Sequence, residues 1–165
     1  NQNHMADFKK KYDKYKLYIM KKNVQRQEGI KITNNKKELM ESNKDGYVII
    51  QELLQNPYLV GGRKINLRVY FLIVINNSKF NVYVYNDGFM YYTPELFKAD
   101  SMDISSNITT GYIDRQVYVE NPLTHGDFRK YLGDELATDI FDNIRIIFVL
   151  ESHLLYLLHI SINFL

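Results

Sequence analysis

Two cations and an amide stand at alternate positions of the short stretch Lys64-Ile65-Asn66-Leu67-Arg68. Alternate side chains of a β-strand lie on the same face, so Lys64, Asn66 and Arg68 would share one. Removing such cations from water is costly unless an anion compensates them. Solvation at the entrance of a strand, or pairing with carboxylates, is the alternative. Together with the segments described next, the pattern favours binding of phosphate.

The segment before this strand has the features of a pocket for a flat nucleotide base. The apolar run Tyr47–Ile50 predicts a buried strand, and a turn marked by Asn56-Pro57 follows it. Adenine requires an apolar slot together with backbone donors and acceptors along its edge. The strand-end backbone of Glu52–Leu54 would supply these groups, and the Leu54 side chain would help to line the slot.

A hairpin nearer the N-terminus carries a further candidate cation. Leu17–Met20 predicts a short strand that ends at Lys21, and Ile30–Thr33 alternates like a second strand after a polar loop. Such a hairpin can close over phosphates through backbone N–H groups and a cation. An ordinary hairpin with a charged tip is the alternative, and the loop composition by itself favours it.

Taken together, these segments resemble the tubulin tyrosine ligase-like family of ATP-grasp enzymes. That family carries a pattern like V-x-Q-x-Y-[IL]-x-x-P-L-L-x-x-x-x-K-F-D-L-R-x-[WY]. The matching residues here are VIIQELLQNPYL from Val48 to Leu59 and KINLRVY from Lys64 to Tyr70. The match is ordered and includes polar positions, so it is fairly specific, and it extends weakly from Tyr18 to Gly133.

The resemblance implies a role for each matching position. Lys21 and the loop after it would contact phosphate, Gln51–Leu54 would hold adenine, and Arg68 would stabilise the transferring phosphoryl group. Asn66 replaces an aspartate that holds the ribose, and an amide can still hydrogen-bond a hydroxyl without charge assistance. The implied catalytic residues are Arg68 and Lys64. The implied ATP-binding residues are Lys21, Arg26, Gln27, Gln51, Glu52, Leu53, Leu54, Lys64, Asn66, Thr109 and Thr110.

The chain departs from the family in two places. Tyr91 stands where the family has an arginine that binds the carboxylate of the incoming amino acid, and tyrosine cannot supply a fixed positive fork. Tyr91 is therefore the candidate substrate position. The acidic D-F-x-x-D and E-V-N segments that ligate magnesium in the family have no counterpart before Leu165. We therefore expect the magnesium ligands in a missing C-terminal segment.

The resemblance implies an α+β fold, a partial ATP-grasp architecture that is mainly antiparallel sheet with flanking helices. Residues 1–16 would be a polar lead-in, and residues 17–50 the phosphate-hairpin part of the central subdomain. Residues 51–165 would form a partial C-terminal subdomain that lacks the metal-ligand segment.

The sequence also predicts the elements that carry these segments. A helix capped by Asn34 or Asn35 would run through Asn43. One strand over Asn66–Ile75 and two further strands would form an antiparallel meander. A short helix would end at Gly133, and a long amphipathic helix would follow it. The further meander strands are Lys79–Tyr85 and Phe89–Thr93.

Composition excludes several classes of function. The 165 residues carry a net charge of +2, which gives no global field for nucleic acid. The chain has no cysteine, which excludes a disulfide scaffold or thiol nucleophile and suits a cytoplasmic protein. The apolar C-terminal segment is interrupted by Arg145, Glu151, His153 and His159. A helix that other protein covers is therefore favoured over a membrane span.

Two functions are consistent with these observations. The first is an ATP-dependent carboxylate–amine ligase that uses ATP and Mg²⁺ to add an amino acid to a protein carboxylate through an acyl phosphate. The acceptor protein would be tubulin by family default. The second is a catalytically inactive or truncated ATP-grasp-like binding domain, which the departure at Tyr91 and the missing acidic segment would explain.

Overall fold

The computed structural model describes the backbone of residues 2–24, 28–76, 79–109 and 114–163. Side chains are described except at residues 2–4, 79–80 and 151–163 within those ranges. The elements in chain order are α1 (Gln2–Lys11), β1 (Tyr18–Lys22), β2 (Ile30–Thr33), α2 (Lys36–Glu41), β3 (Tyr47–Glu52), β4 (Leu59–Val60), β5 (Arg63–Arg68), β6 (Phe71–Asn76), β7 (Lys79–Val84), β8 (Phe89–Tyr92), α3 (Gln116–Glu120), α4 (His125–Leu132) and α5 (Asp134–Asn163).

The architecture is α+β, as predicted, and its helices and antiparallel ladders are in keeping with part of an ATP-grasp fold. The chain forms two compact units. The first unit comprises Asn1–Ile65 and Tyr92–Val117, and the second comprises Asn66–Tyr91 and Tyr118–Leu165. One three-stranded sheet has the strand order β4-β5-β8. The three functional segments expected from the sequence stay a prediction.

The first unit is built around β1, the central strand of a sheet with the order β2-β1-β3. Both neighbours are antiparallel to β1, which confirms the predicted hairpin. One face of β1 packs Leu17 and Ile19 against Leu53. The other face packs Tyr18 and Met20 into a separate cluster with a helical leucine. Because both faces of β1 are buried, its sequence does not alternate between apolar and polar residues.

The predicted helix after Asn35 is confirmed. The Asn35 side chain accepts hydrogen bonds from the backbone N–H groups of Lys37 and Glu38. These N–H groups lie in the first turn of the helix, where they have no acceptor within the helix. The helix ends at Glu41, two residues before the predicted end at Asn43. Leu39 on this helix is fully buried, at 0% exposure.

The prediction of a buried strand over Tyr47–Ile50 is correct about the strand and wrong about its burial. Val48 is 64% exposed and Ile49 is 51% exposed. The reason is the position of β3 at the edge of its sheet, next to β1 on one side only. An apolar run predicts a strand from local composition, whereas edge or central position depends on which other segments pair with it.

The second unit combines a β-ribbon with a pair of helices. The strands β6 and β7 pair with each other in antiparallel register from Phe71↔Val84 to Asn76↔Lys79. A ribbon of two strands is marginally stable without packing from another element. Here the ring of Phe71 lies 4.8 Å from the ring of Phe148 on α5, centroid to centroid.

The short helix ends at Gly133 and the long helix follows it, as predicted. Thr124 and Asp127 form a capping box at the start of α4, in which each side chain bonds the other residue's backbone N–H. Gly133 ends α4 with φ +79°, a backbone conformation that glycine adopts at little cost. α5 then begins at Asp134 and packs on α4 through Phe141, whose ring lies 6.5 Å from that of Phe128.

The predicted long helix is present, and its membrane-spanning alternative has no support in the part of the chain that the structure describes. Within those residues, no helix combines the length and apolar character that a bilayer crossing requires.

The predicted antiparallel meander is wrong in its strand pairing. The strand expected over Asn66–Ile75 is broken between Arg68 and Phe71, so that β5 and β6 are separate. The third strand, β8, joins the sheet of β4 and β5 and does not extend the ribbon. The turn before β8 explains this change, because the Asp87 carboxylate accepts bonds from the N–H groups of Gly88 and Gly126 at 2.8 and 3.2 Å. These bonds tie the turn to the start of α4.

Gly88 is required by a close backbone approach. A Cβ atom placed on Gly88 would lie 2.3 Å from the backbone oxygen of Arg68 and 2.5 Å from Cε1 of His125. We expect Gly88→Ala to lower the free energy of unfolding by about 1–3 kcal/mol, because a backbone oxygen cannot move aside cheaply. Urea unfolding followed by circular dichroism measures this change.

Gly126→Ala is the matched control for that substitution. A Cβ atom on Gly126 would meet Thr124 Oγ1 at 3.4 Å, an ordinary contact, and alanine favours the helix that contains it. The control should unfold at the same urea concentration as the original chain or slightly above it. Equal destabilisation by both alanine variants would show that Gly88 has no special steric role.

Candidate functional site

The ammonium group of Lys64 is buried in the first unit, where only 7% of the residue is exposed. Its Nζ donates to the backbone oxygen of Leu54 at 3.0 Å and to Oδ1 of Asn107 at 2.8 Å. The same Nζ lies 4.8 Å from the ring centroid of Phe97. Among the described residues, the ion pairs do not include Lys64. A cation in this setting is held by dipoles and an aromatic face alone.

Burial lowers the pKa of the Lys64 ammonium below its ordinary value, since desolvation penalises the charged form. A lysine with a depressed pKa that no carboxylate compensates is the kind of group that an anionic or electron-rich ligand stabilises. The predicted nucleotide role of Lys64 is consistent with this environment, which composition alone could not distinguish from a solvated surface lysine.

Asn107 is the functional candidate that sequence reasoning missed as a partner of Lys64. Its amide Nδ2 donates to the backbone oxygens of Ser101 and Asp103, both at 2.9 Å, which fixes the amide and aims Oδ1 at the ammonium. The sequence offered one signal, the position of Asn107 at the start of the segment Asn107–Thr110. Its connection to Lys64 spans 43 positions and could not be derived from spacing.

The loop that carries Asn107 is tied to β5 by backbone hydrogen bonds. The N–H of Thr93 donates to the oxygen of Lys64 at 3.1 Å, and the N–H of Phe97 donates to the oxygen of Gly62 at 2.8 Å. Arg63 reinforces the connection through bonds from its guanidinium to the backbone oxygens of Thr93 and Pro94. Hydrogen bonds to main-chain oxygens therefore hold the segments around Lys64 in place.

The predicted adenine segment divides into a structural part and an accessible part. Leu53 is 7% exposed, its N–H donates to the oxygen of Leu17 at 2.8 Å, and its oxygen accepts from Gln55 at 3.0 Å. Glu52 forms an ion pair with Lys16 at 2.9 Å. Leu54 is 65% exposed and holds Lys64 through its backbone oxygen. The residue of the segment that is open to a ligand beside the cation is thus Leu54.

Strands β1 and β3 bring one predicted pair together. Nζ of Lys21 donates to Oε1 of Gln51 at 3.1 Å, across the ladder between β1 and β3. Two residues of the predicted site separated by 30 positions are therefore neighbours. Thr109 is half-buried. The predicted positions Arg26, Gln27 and Thr110 lie outside the described residues.

The remaining predicted residues belong to the second unit. Asn66 and Arg68 are exposed on β5, and Tyr91 is half-buried on β8. The guanidinium carbon of Arg68 lies 4.7 Å from the ring centroid of Tyr91, which is cation–π distance. Asn66 and Arg68 follow Lys64 at alternate positions, as the prediction of a shared strand face requires.

The described residues do not fit a magnesium site. Magnesium is held by carboxylate and phosphate oxygens together with water. Among the described residues, no group of three or more His, Asp or Glu side chains is arranged to hold a metal ion. No step of the chemistry is therefore assigned to a metal bound by this chain.

His125 is a buried residue in the second unit that sequence reasoning did not single out. It is 2% exposed, and its Nε2 has no hydrogen-bond partner among the described residues. Its backbone N–H donates to the oxygen of Gly88 at 3.1 Å. A cavity of about 10 Å³ beside the ring is lined by Arg129 and Arg145 among others. Burial lowers the pKa of His125, nearby Asp87 opposes this change, and Arg129 reinforces it.

The lowered pKa of His125 predicts a loss of stability in acid. The folded chain binds a proton at this ring less readily than the unfolded chain does, so stability is fully present above the ordinary histidine value of 6.5 and decreases as the pH falls below it. Urea unfolding at a series of pH values between about 5 and 8, the range in which histidine titrates, measures the effect.

His125→Leu is the variant that isolates this titration. It removes the ionisable ring while retaining an apolar side chain of similar size, so the decline in stability below the histidine pKa should become shallower. An unchanged pH dependence in His125→Leu would show that other groups cause it.

Comparison with known proteins identifies relatives of this sequence. The family model described as Tubulin-tyrosine ligase family matches residues 1–113. The probable tubulin polyglutamylase TTLL9 of Mus musculus is 30% identical over 111 residues, which is 61% of this chain and 24% of the mouse protein. Tubulin glycylase 3B of Drosophila melanogaster is 24% identical over 131 residues, which is 77% of this chain and 17% of that protein.

A third relative, tubulin polyglutamylase TTLL7 of Xenopus tropicalis, is 28% identical over 120 residues, which is 73% of this chain and 12% of that protein. The chain thus spans about a quarter or less of the length of the curated relatives that it matches.

Proposed function

This chain belongs to the tubulin-tyrosine ligase family, and we propose that it supplies nucleotide-binding residues of an ATP-dependent carboxylate–amine ligase. The single observation that carries this proposal is the buried ammonium of Lys64, which neutral acceptors hold beside Leu54. The names of the relatives support tubulin as the acceptor protein and an amino acid as the group transferred. The proposed location is the cytoplasm, where tubulin assembles.

The ammonium of Lys64 has capacity for one more acceptor. A lysine ammonium carries three N–H donors. Among the described residues its acceptors are Leu54 and Asn107, both neutral oxygens. A nucleotide placed against the exposed Leu54 would offer the third acceptor, from a ring nitrogen of the base or from a phosphate oxygen. Binding of the nucleotide would thereby complete the hydrogen bonding of a desolvated cation, which is a favourable exchange.

The proposed roles in the first unit follow from its contacts. Leu54 would contact the edge of the base and Lys64 would contact the nucleotide, while Lys21 and Gln51 would contact its phosphates. Asn66 and Arg68 keep the roles that the family resemblance implies, a ribose hydroxyl for Asn66 and the phosphoryl group for Arg68.

The proposed reaction consists of two group transfers. The γ-phosphoryl group of ATP passes to an oxygen of the acceptor carboxylate, so that a phosphorus–oxygen bond to ADP breaks and an acyl phosphate forms. The amine then attacks the acyl carbon, an amide bond forms and phosphate leaves. Charge builds up on the phosphoryl oxygens during the first transfer, and a guanidinium such as that of Arg68 stabilises it.

The second candidate is a binding domain of the same family without ligase activity. The observation that favours it is Tyr91, which stands at the position where an arginine would bind the carboxylate of the amino acid. Such a domain would bind nucleotide through Lys64 and would not transfer the amino acid.

Lys64→Met tests the nucleotide assignment. Methionine keeps the length and apolar stem of the side chain and removes the charge and donors. We expect the variant to bind ATP about ten- to a hundredfold more weakly than the original chain, because hydrogen bonds to charged groups contribute about 1.5–3 kcal/mol. Isothermal titration calorimetry of the 165-residue chain with ATP and magnesium chloride measures the affinity.

Lys44→Met is the matched control. Lys44 lies at the surface, where its side chain is 69% exposed and pairs with Glu41, so its loss should leave ATP affinity unchanged. Urea unfolding of both variants verifies that they fold. Absence of ATP binding by the original chain, or equal affinity of Lys64→Met, would contradict the proposed function.

Asn107→Leu provides an independent check. Leucine has the branched shape of asparagine, with methyl groups in place of the amide oxygen and nitrogen. It cannot accept a bond, so Lys64 would lose its 2.8 Å partner and its fixed position. We expect weaker ATP binding together with reduced stability, since a buried donor without a partner costs about 1–3 kcal/mol. Unchanged stability and affinity would show that the Lys64–Asn107 bond has no role in the site.

A further inference from the structure

The guanidinium of Arg68 contacts an aromatic ring. Its guanidinium carbon lies 4.7 Å from the ring centroid of Tyr91, within the second unit. Among the described residues, the ion pairs do not include Arg68. Within those residues the cation–π contact with Tyr91 therefore restrains the guanidinium.

A cation–π contact leaves the N–H donors of a guanidinium available to a ligand. The N–H donors of arginine lie in the plane of the group and form a fork that matches the oxygens of a phosphoryl group or a carboxylate. A protein carboxylate would occupy this fork, whereas an aromatic ring has no pair of oxygens to accept from it. The contact with Tyr91 can thus restrict the motion of Arg68 without competing for its ligand.

Both partners of this contact are anchored through their backbones. Gly88 packs so closely against the backbone oxygen of Arg68 that a Cβ atom would lie 2.3 Å from it. Met90, which precedes Tyr91, is 0% exposed, and its N–H donates to the oxygen of Leu123 at 2.9 Å. The backbone at Arg68 and the backbone next to Tyr91 are therefore both held in place.

We propose that Tyr91 is a positioning residue that presents the guanidinium fork of Arg68 to an oxyanion. The oxyanion is a phosphoryl group or a substrate carboxylate, which share the planar or near-planar pair of oxygens that the fork recognises. This inference rests on the proposed function and deepens it. Tyr91 would act by positioning Arg68 and would not itself contact the amino acid.

The experiment observes Arg68 directly by nuclear magnetic resonance of the isotopically labelled 165-residue chain. The Nε–Hε resonance of Arg68 is assigned by its loss in Arg68→Lys. In the absence of ligand, Tyr91→Leu should shift this resonance because it removes the ring current, whereas Tyr91→Phe should retain the shift of the original chain. Tyr83→Leu, at a tyrosine that is 58% exposed on the ribbon, is the matched control and should change nothing.

Two probes distinguish the sources of the oxyanion. Sodium tripolyphosphate supplies phosphoryl groups, and sodium glutamate supplies carboxylates. We expect the Arg68 resonance of the original chain and of Tyr91→Phe to respond to one of them. The affinity of that probe should be about two- to fivefold weaker in Tyr91→Leu, the effect of losing an exposed cation–π contact. Arg68→Lys, which keeps the charge and lacks the fork, should also bind the probe more weakly.

The outcome separates this inference from the proposed function. Unchanged resonance position and probe affinity in a folded Tyr91→Leu variant would overturn the positioning role, as would the absence of any Arg68 response to both probes. ATP binding is followed separately, at the backbone amides around Leu54 and Lys64. Loss of the ATP response with the Arg68 results intact would overturn the nucleotide proposal alone. Should Tyr91→Leu fail to fold, equal probe affinity of Arg68→Lys and the original chain overturns the inference.

Discussion

A buried ammonium bonded by two neutral oxygens sets the arrangement of the first unit around Lys64. Burying a cation costs far more than burying an apolar side chain, so every partner of Lys64 has to be held in place. The fold meets this cost with main-chain bonds that fix the loop from Thr93 to Asn107 over β5. The amide of Asn107 is itself immobilised by backbone oxygens before it accepts from Lys64. Stability and ligand binding consequently depend on the same few atoms.

The second unit shows how a glycine, a histidine and an arginine depend on one another. The turn at Gly88 lies directly on the backbone of Arg68, and the ring of His125 closes the other side of that turn. A larger residue at Gly88 would displace Arg68 without touching its side chain. Among the described residues the Nε2 atom of this buried imidazole has no hydrogen-bond partner, so burying the ring carries an electrostatic cost.

Local signals in the sequence predicted local structure correctly. The helix cap, predicted at Asn34 or Asn35, is Asn35, and Gly133 ends α4 as predicted. These features depend on a few neighbouring residues, whose side chains satisfy the open backbone groups of a helix end.

Features that depend on distant pairing were predicted less well. The exposure of Val48 and Ile49, the break after Arg68 and the position of β8 in its sheet all follow from which strands meet. Composition within a strand does not contain that information. The same limit explains why Lys64 was found from its chemistry while its partner Asn107 was not.

The burial of β1 on both faces affects how the register between β1 and its neighbouring strands is selected. The strand is apolar on both faces from Leu17 to Met20. A register shift by one residue would therefore exchange one apolar face for the other at a small cost in free energy. Hydrophobicity therefore cannot select the correct pairing by itself. Selection falls to polar side-chain contacts at the strand ends, the ion pair of Lys16 with Glu52 and the hydrogen bond from Lys21 to Gln51. In this sheet, apolar residues stabilise the packing and polar residues select the strand register.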